Sequence, residues 1–461
     1  MLKSVLPLSF IIATRFFGLF IVLPVMSLYA LKMHGASEFL VGALFGVYAL
    51  AQMLLQVPFG ALSDRVGRKK ALFLGLCVFI VGCVLCALAT DIYALLAGRA
   101  LQGAGAVGAV AAALISDFTT EEQRSKAMAM MGAFIGLAFC AAMAIAPFLS
   151  AKFGFASLFW LSLFLTLICI ILLYTAVPKE PKIKVVQAVK TPILSLLKQK
   201  NLALMNLTNF MQKCLMSLTF LLVPIILVQN FGFENLGQLY LYSMLVGFAA
   251  MGFAGVFGEK KGYSKGILLA GVVFFALAYA LLSLSFGAAF ISHAYAIAVL
   301  SAAVVVFFVG FCLHEPIMQS VASKFARANE RGTALGVFNA FGYAGSFAGG
   351  ILGGAFLAMG DITLLTSLLS LLCVLWFALL FLLKNPSDFK NLYLPLNAKL
   401  DTAALSRLFD EGENFAKNGK IQSHAAKNGI VEIYSNSRNF IIKYDSKITN
   451  KDEIQAKLDK I

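Results

Sequence analysis

The sequence predicts an all-α membrane protein of twelve transmembrane helices in two six-helix halves, with a small α+β domain at its C-terminal end. Three observations carry that prediction. Hydrophobic residues make up 60% of the 461 residues and charged residues only 13%, about half of the roughly 25% typical of a soluble domain. The apolar residues come in runs of the ~20 residues that cross a hydrocarbon layer, without the alternation of barrel strands. The last stretch, from about Asn391, changes to a mixed polar composition that fits a small soluble fold.

In chain order the spans fall at roughly 5–30, 38–60, 71–90, 92–116, 125–149, 155–177, 203–228, 237–257, 265–286, 293–317, 332–358 and 362–383. The first run, from about Pro7 to Tyr29, is long enough to span and reads as a retained helix rather than a cleaved signal. Four polar regions interrupt the pattern: GALSDRVGRKKAL at 60–72, a connector at 178–202 with six lysines, SKFARANER at 323–331, and everything after Lys384. The domains expected are therefore 1–177, the connector 178–202, 203–385, and a soluble unit at 390–461.

The net charge of +15 invites a nucleic-acid reading, but the basic residues sit in short loops between apolar runs. Loops after even-numbered spans hold Arg65, Arg68, Lys69, Lys70, Arg124, Lys126, Lys260, Lys261, Lys265, Lys324, Arg327 and Arg331; those after odd-numbered spans offer Lys32 and Lys152. By the positive-inside rule both termini are cytoplasmic. The partner implied is therefore the lipid bilayer, not nucleic acid, and the chain is expected to act as a monomer in the cell inner membrane. All eight cysteines fall inside apolar runs and read as buried thiols. No Walker loop, HExxH or paired-cysteine metal site is present, so no cofactor is implied and enzyme chemistry is not expected.

The membrane part repeats itself. GALSDRVGRK at 60–69 aligns with GVFGEKKGYS at 255–264, matching Gly60 to Gly255, Asp64 to Glu259 and Gly67 to Gly262. RSKAMAMMG at 124–132 aligns with RGTALGVFN at 331–339. Two similar halves place the pathway between them near the midplane. In the tail, NLYLPL, GIVEIYS and NFIIKYD read as strands, the last two joined by a turn at Asn436–Arg438. Residues 401–419 read as a helix. A final helix starts behind a Thr449–Asp452 capping box.

These residues carry a family resemblance. GALSDRVGRKKAL resembles motif A of the major facilitator superfamily, and LLAGRALQGAGAVGA at 95–109 resembles its motif B, with Arg99, Gln102 and Gly103 in place. The proton-driven drug antiporter branch fits best. The tail is similar to the small ferredoxin-like domain of YajR-type transporters, without its usual last strand. One departure is the fifth span, where AIAPFLSA at 144–151 keeps Pro147 but lacks the Gly-Pro-x-x-Gly-Gly pattern of the antiporters.

Three groups of residues are candidates for the work. The first is a latch of Gly60, Asp64, Arg65, Gly67, Arg68 and Asp117. Here Gly60 permits close helix approach, and Gly67 a tight reversal. Asp64 accepts from the amide end of the eleventh span, and Arg68 holds Asp64 and reaches Asp117. The resemblance implies that this cluster stabilises the state closed to the cytoplasm, and that Arg99 braces the first helix. The second group comprises the intramembrane charges. A charge at mid-membrane costs about 2.5–3.5 kcal/mol on insertion scales, so Arg15, Lys213, Glu315 and the titratable His314 are candidates for proton coupling. Glu315 is the one acid deep in a span, and Lys213 its plausible partner. The third group is a set of polar stripes, Gln52 and Gln56, Asn206 and Asn209, Asn339 and Tyr343, which either line a cavity or glue helices together. The reading is a proton-coupled exporter of small amphipathic compounds. Its rivals are a proton-coupled uptake symporter for a metabolite and a non-transporting sensor that uses the tail.

Overall fold

A computed structural model describes residues 2–119, 121–180, 193–233, 235–287, 293–326, 331–395, 430–435 and 439–458. Among these residues, twelve helices are long and apolar enough to cross a membrane. They are α1 (Ser4–Ala30), α2 (Glu38–Val66), α3 (Arg68–Leu88), α4 (Ile92–Asp117), α5 (Met130–Phe153) and α6 (Ala156–Thr175). Then follow α7 (Lys200–Gln229), α8 (Leu236–Gly258), α9 (Ser264–Ser285), α10 (Ala294–Phe325), α11 (Gly332–Met359) and α12 (Ile362–Asp388). The first residues of α1 and the tail share one end of the bundle, here the terminal end; the other is the far end.

Local chemistry sets the helix limits. Ser37 caps α2 by accepting from Leu40 N at 3.3 Å. Asp91 caps α4 by accepting from Tyr93 N and Ala94 N, both at 2.9 Å. Gly67, at φ +98°, is the whole connection between α2 and α3, a conformation that other residues rarely adopt. α10 runs to Phe325 rather than the expected end near 317, because the apolar run stops there but the helix does not. Two spans are broken internally. α1 interrupts at Ile21–Val22, ahead of Pro24. α4 interrupts at Gly105–Ala106, where Ala106 N and Val107 N turn back onto Ala104 O and Gly105 O at 2.8 Å.

The first six helices pack among themselves, as do the last six, and they meet along a seam of α2 against α11 and α5 against α8. Toward the far end the seam is glycine-tight. A Cβ on Gly42 would stand 2.4 Å from Gly350 O, and one on Gly354 would stand 2.9 Å from Glu38 O. Gly237 on α8 seats Phe148 and Pro147 of α5. Toward the terminal end, a Cβ on Gly60, Gly132, Gly252, Gly332 or Gly336 would meet nothing within 4 Å. The seam is zipped at one end and parted at the other. Gly60 therefore makes no close helix approach in this state, against the expectation from its place in the loop signature.

The tail forms β1 (Phe389–Pro395), β2 (Ile430–Ser435), β3 (Asn439–Asp445) and α13 (Lys451–Leu458). The sheet order is β1-β3-β2, with β3 antiparallel to both neighbours. The helix expected over 401–419 and the turn at Asn436–Arg438 lie outside the described residues. The cap of α13 differs from expectation by one residue. Asn450 Oδ1 accepts from Glu453 N at 2.7 Å, and Asn450 N donates to Glu453 Oε2 at 3.3 Å. Asn450 is the better cap because Glu453 can answer it reciprocally, and Thr449 adds its hydroxyl to the same carboxylate at 2.9 Å.

Gly42→Val overfills the zipped seam, and overpacking typically costs ~1–3 kcal/mol. Gly60→Ala fills open space in a helix interior, where Ala is favoured by ~1 kcal/mol. Scanning fluorimetry of the purified protein is expected to show a lowered unfolding midpoint for the first variant and none for the second. Equal losses would refute the zipped-and-parted description.

Candidate functional site

Among the described residues, two guanidinium groups are buried in the first six helices. Arg15 on α1 is 1% exposed and Arg99 on α4 is fully buried. Arg15 Nη2 donates to Gln52 Oε1 at 2.7 Å, to Gly105 O at 3.1 Å and to Gln102 O at 3.5 Å. The break in α4 makes this fit: interruption of the helix ladder turns those carbonyls toward α1. Arg99 Nη1 donates to Gln102 Oε1 at 2.8 Å, and Gln102 Nε2 to Cys83 Sγ at 3.1 Å. Tyr48 lies between the two cations, its ring 4.8 Å from Arg99 and 5.4 Å from Arg15, a face that attracts positive charge. Gly103 lets α4 approach within touching distance of Tyr48 O. No carboxylate pairs with either arginine among the described residues. The expected brace on the first helix is therefore supplied by Arg15 reaching out to α4; Arg99 bonds within its own helix. Tyr343 of α11 comes up beside Gln52 and Arg15 from across the seam.

The last six helices hold a different arrangement. Lys213 Nζ on α7 stands 2.9 Å and 3.2 Å from the two oxygens of Glu315 on α10. Gln212 Nε2 donates to Glu315 Oε2 at 3.2 Å and to Phe311 O at 3.4 Å. Ten residues separate Glu315 from the end of α10, about 15 Å at 1.5 Å per residue. At that depth the pair is still 22% and 32% exposed. Since 89% of the most apolar stretch of α7 is buried, the exposure of Lys213 faces an interior cleft, not lipid. Aromatic rings close the cleft toward the far end. Phe139 of α5 stacks on Phe311 at 5.2 Å and meets Phe20 at 4.9 Å and Phe220 at 6.3 Å. Lys213 Nζ sits 5.0 Å above the Phe311 ring. The ion pair thus touches the ring that plugs the seam.

A third cluster lies at the terminal end. Arg68 Nη1 contacts Asp64 Oδ1 at 2.6 Å and Ser63 Oγ at 2.6 Å, and Arg68 Nε contacts Asp117 Oδ2 at 3.3 Å. Glu180, just beyond α6, accepts from Arg68 N at 2.9 Å and Lys69 N at 2.5 Å. It caps α3, a site that favours an anion. Lys69 Nζ donates to Val177 O at 2.7 Å, tying the loop to the end of α6. Arg65 is exposed.

The model of the Major Facilitator Superfamily matches residues 8–350 and again 253–394. The chain belongs to that superfamily. It is 31% identical over 459 residues to the inner membrane transport protein YajR of Escherichia coli (strain K12), covering 97% of this chain and 95% of the relative. Over a shorter stretch of 96 residues, 21% of this chain and 24% of the relative, it is 41% identical to the class E tetracycline resistance protein of Escherichia coli. The human organic anion transporter MFSD10 has the same fold at a TM-score of 0.61 and 19% identity, over 82% of this chain and 99% of its own. As a superfamily member the chain is a multi-pass membrane transporter and not an enzyme.

Within this superfamily fold the expected residues separate into three fates. Arg15, Gln52, Arg99 and Gln102 form one network, and Lys213 with Glu315 another. His314 turns away from the pair: it is buried, its Nε2 lies 2.7 Å from Leu268 O, and it packs edge-on to Trp376 and Phe275. Asn209 glues α7 to α11, donating to Phe338 O at 2.7 Å through the space that Gly342 leaves open. Asn206 is buried on the same helix, and Gln56, Asn339 and Tyr343 are half-buried. Sequence reasoning missed Gln212, Ser63 and Glu180. Gln212 carried a readable signal, a second long polar side chain next to Lys213 in an apolar span.

The ion pair makes a thermodynamic prediction. Removing one member leaves the other unmatched, so single losses exceed the loss of both. Glu315→Gln and Lys213→Met are expected each to lower the unfolding free energy. The double variant should recover part of the sum, with a coupling of roughly 1 kcal/mol, in the ~0.5–3 kcal/mol range of contacting residues. Strict additivity in a double-mutant cycle would mean that the contact carries no energy.

Proposed function

We propose that this protein is a proton-coupled secondary transporter that exports small amphipathic compounds from the cytoplasm by alternating access. The observation that carries the reading is Glu315: a carboxylate deep in a span, open to an interior cleft and held by Lys213. Every other Asp or Glu of the twelve spans sits within about a turn of a span end. A group that loads and releases a proton must be titratable, reachable by water and coupled to a conformational contact. Glu315 meets the first by its chemistry and the second by its exposure. It meets the third through Lys213, which lies over the Phe311 ring packed on Phe139 across the seam.

The cycle runs as follows. With Glu315 ionised, Lys213 is paired and the cleft faces the cytoplasm, both termini being cytoplasmic by the loop charges. A proton on Glu315 removes the partner of Lys213 and shifts the balance between the two states by the difference in that interaction. The Phe-lined wall offers an apolar, polarisable surface for amphipathic substrates. In the opposite state the seam parts at the far end, and Asp64, Arg68 and Asp117 brace the terminal end as a latch. Proton-driven drug export is supported by the matched stretch of the tetracycline resistance protein, by the inner-membrane relative and by the motif A and B residues. Arg99 acts by holding Gln102 in reach of the α1 contact. The tail reads as a ferredoxin-like regulatory domain, supported by β3 lying antiparallel between β1 and β2. A second reading, proton-coupled uptake, is favoured by AIAPFLSA in α5, which lacks the flanking glycines of antiporters.

Energised inverted membrane vesicles with a panel of amphipathic dyes distinguish these readings. Export predicts proton-driven dye accumulation inside the vesicles. Accumulation falls at least tenfold in Glu315→Gln and is cut in Asp64→Asn, with protein levels unchanged. Accumulation only in right-side-out vesicles would replace export by uptake. No movement of any dye in either would favour the sensor.

A further inference from the structure

Arg15 and Arg99 bring two positive charges around one ring, that of Tyr48, and no carboxylate pairs with either among the described residues. An unmatched charge inside a membrane is costly, and the hydrogen bonds of this network meet only part of the demand. Arg15 Nε and Nη1, Arg99 Nε and Gln52 Nε2 are buried and find no hydrogen-bond partner among the described residues. All four can only donate. Tyr48 Oη, which can give or take, is also without a partner. A water molecule that accepts from such groups must also place two hydrogens of its own, and this cluster is short of acceptors. A negatively charged group that only accepts answers the donors and the charge together. A second, independent feature says what such a group is attached to. The Phe16 ring lies 5.5 Å from the Arg15 guanidinium, Phe16 stacks on Phe20 at 5.8 Å, and Phe20 meets Phe139 of the aromatic plug at 4.9 Å. A row of rings thus leads from Arg15 to the wall of the cleft. The network is approached from the parted end of the seam. Gln56 and Gly60 follow Gln52 at four-residue steps along α2, and Tyr343 follows Gly336 two turns along α11. A Cβ on Gly60 or Gly336 would meet nothing within 4 Å, and Tyr343 stands beside Gln52 and Arg15.

We propose that Arg15, with Gln52 and Arg99 beside it, is a binding site for the anionic head of an amphipathic substrate, a carboxylate or sulfonate on an aromatic body. The head accepts from the unpartnered donors of Arg15 and Gln52, and the body lies along Phe16, Phe20 and Phe139. Entry is from the parted end, past Tyr343. A neutral or cationic amphipath uses the rings but leaves the guanidiniums unanswered. A halide ion answers the charge but leaves the rings unused. That the compound is then carried across the membrane rests on the transport reading; its binding does not.

The test uses the full-length protein in phosphatidylcholine nanodiscs, with empty nanodiscs as the blank. Binding is followed by isothermal titration and by the shift in unfolding midpoint. Three naphthalene probes differ in the charge of the head: naphthalene-2-sulfonate, neutral 2-naphthol and cationic 2-naphthylmethylammonium. The sulfonate is expected to bind saturably and at least tenfold more tightly than the other two, and sodium chloride at the same concentrations to give no response. Arg15→Gln is expected to weaken sulfonate binding at least tenfold. Should that variant not fold, Gln52→Glu decides. Gln52 Oε1 already lies 2.7 Å from Arg15 Nη2, so the substitution gives the guanidinium a built-in anion at almost unchanged volume. Its unfolding midpoint is expected at or above that of the natural protein, with sulfonate binding at least tenfold weaker. Equal affinity for the three probes, a chloride response as large as the sulfonate's, or full-strength sulfonate binding in Gln52→Glu overturns the proposal. Energised inverted vesicles separate the site from the transport reading. Sulfonate binding with no dye moved keeps the site and refutes transport; dye export by a protein that binds no sulfonate keeps transport and refutes the site.

Discussion

A guanidinium cannot shed its proton, and among the described residues two of them are buried inside membrane-spanning helices. Much of the first six helices is arranged around that constraint. Neutral acceptors hold Arg15: one glutamine oxygen and the carbonyls that a broken helix presents. A phenol ring stands between it and Arg99. Nε and Nη1 of Arg15, Nε of Arg99 and Nε2 of Gln52 find no hydrogen-bond partner among the described residues. The seam residue Tyr343 comes close to the same network, so a change at the seam alters the surroundings of a permanently charged group. The last six helices solve the burial of charge differently, with a cation paired to a titratable anion that also accepts from Gln212. Fixed charge thus lies on one side and a titratable group on the other, the division that the proposed proton coupling uses.

The seam translates that chemistry into shape. Glycines bring backbone against backbone between α2 and α11 at the far end, where contact is lost if either helix shifts by a side chain's width. Packed interfaces are bistable rather than elastic. The aromatic plug lies between the zipped contacts and the parted end, and Phe139 contributes to both sides of it. Pro316 follows Glu315 directly and removes one ladder hydrogen bond from α10 at the ion pair. A bend of α10 is least opposed beside the ion pair.

The twelve spans were legible because a membrane imposes one requirement, ~20 consecutive apolar residues, that composition shows directly. Their ends were less legible. In α10, Gln319, Ser320 and Ser323 end the apolar run without opposing helix, so the helix outlasts its signal by two turns. The pairing of Lys213 with Glu315 was readable from the scarcity of acids in the spans. The acceptors of Arg15 were not, because two of them are backbone carbonyls, which every residue carries and only the break in α4 exposes. The polar stripe of α7 could not be divided into glue and lining from one helix alone. Asn209 became glue because Gly342, on another helix, leaves room for it. Glu180 lay in a lysine-rich connector whose charge read as topology, and its function as a cap depends on Gly67, more than a hundred residues earlier.

That last contact bears on how the terminal end works. Asp64, Asp117 and Glu180 all converge on the start of α3, where Arg68 answers the first two with its side chain and the third with its amide. In the state described, Asp64 is half-exposed and spends its charge on Arg68, four residues along the same turn. On the proposed cycle, closing the terminal end brings the first turn of α11 toward Asp64, and a helix N-terminus competes with Arg68 for that carboxylate. Arg68 need not be left unmatched by the exchange, since Asp117 already stands at 3.3 Å. Glu180 meanwhile holds the amide end of α3, so the turn at Gly67 keeps its shape while its charges change partners. The latch is then an exchange of ion-pair partners on a fixed scaffold. A small free-energy difference suffices to drive such an exchange in either direction.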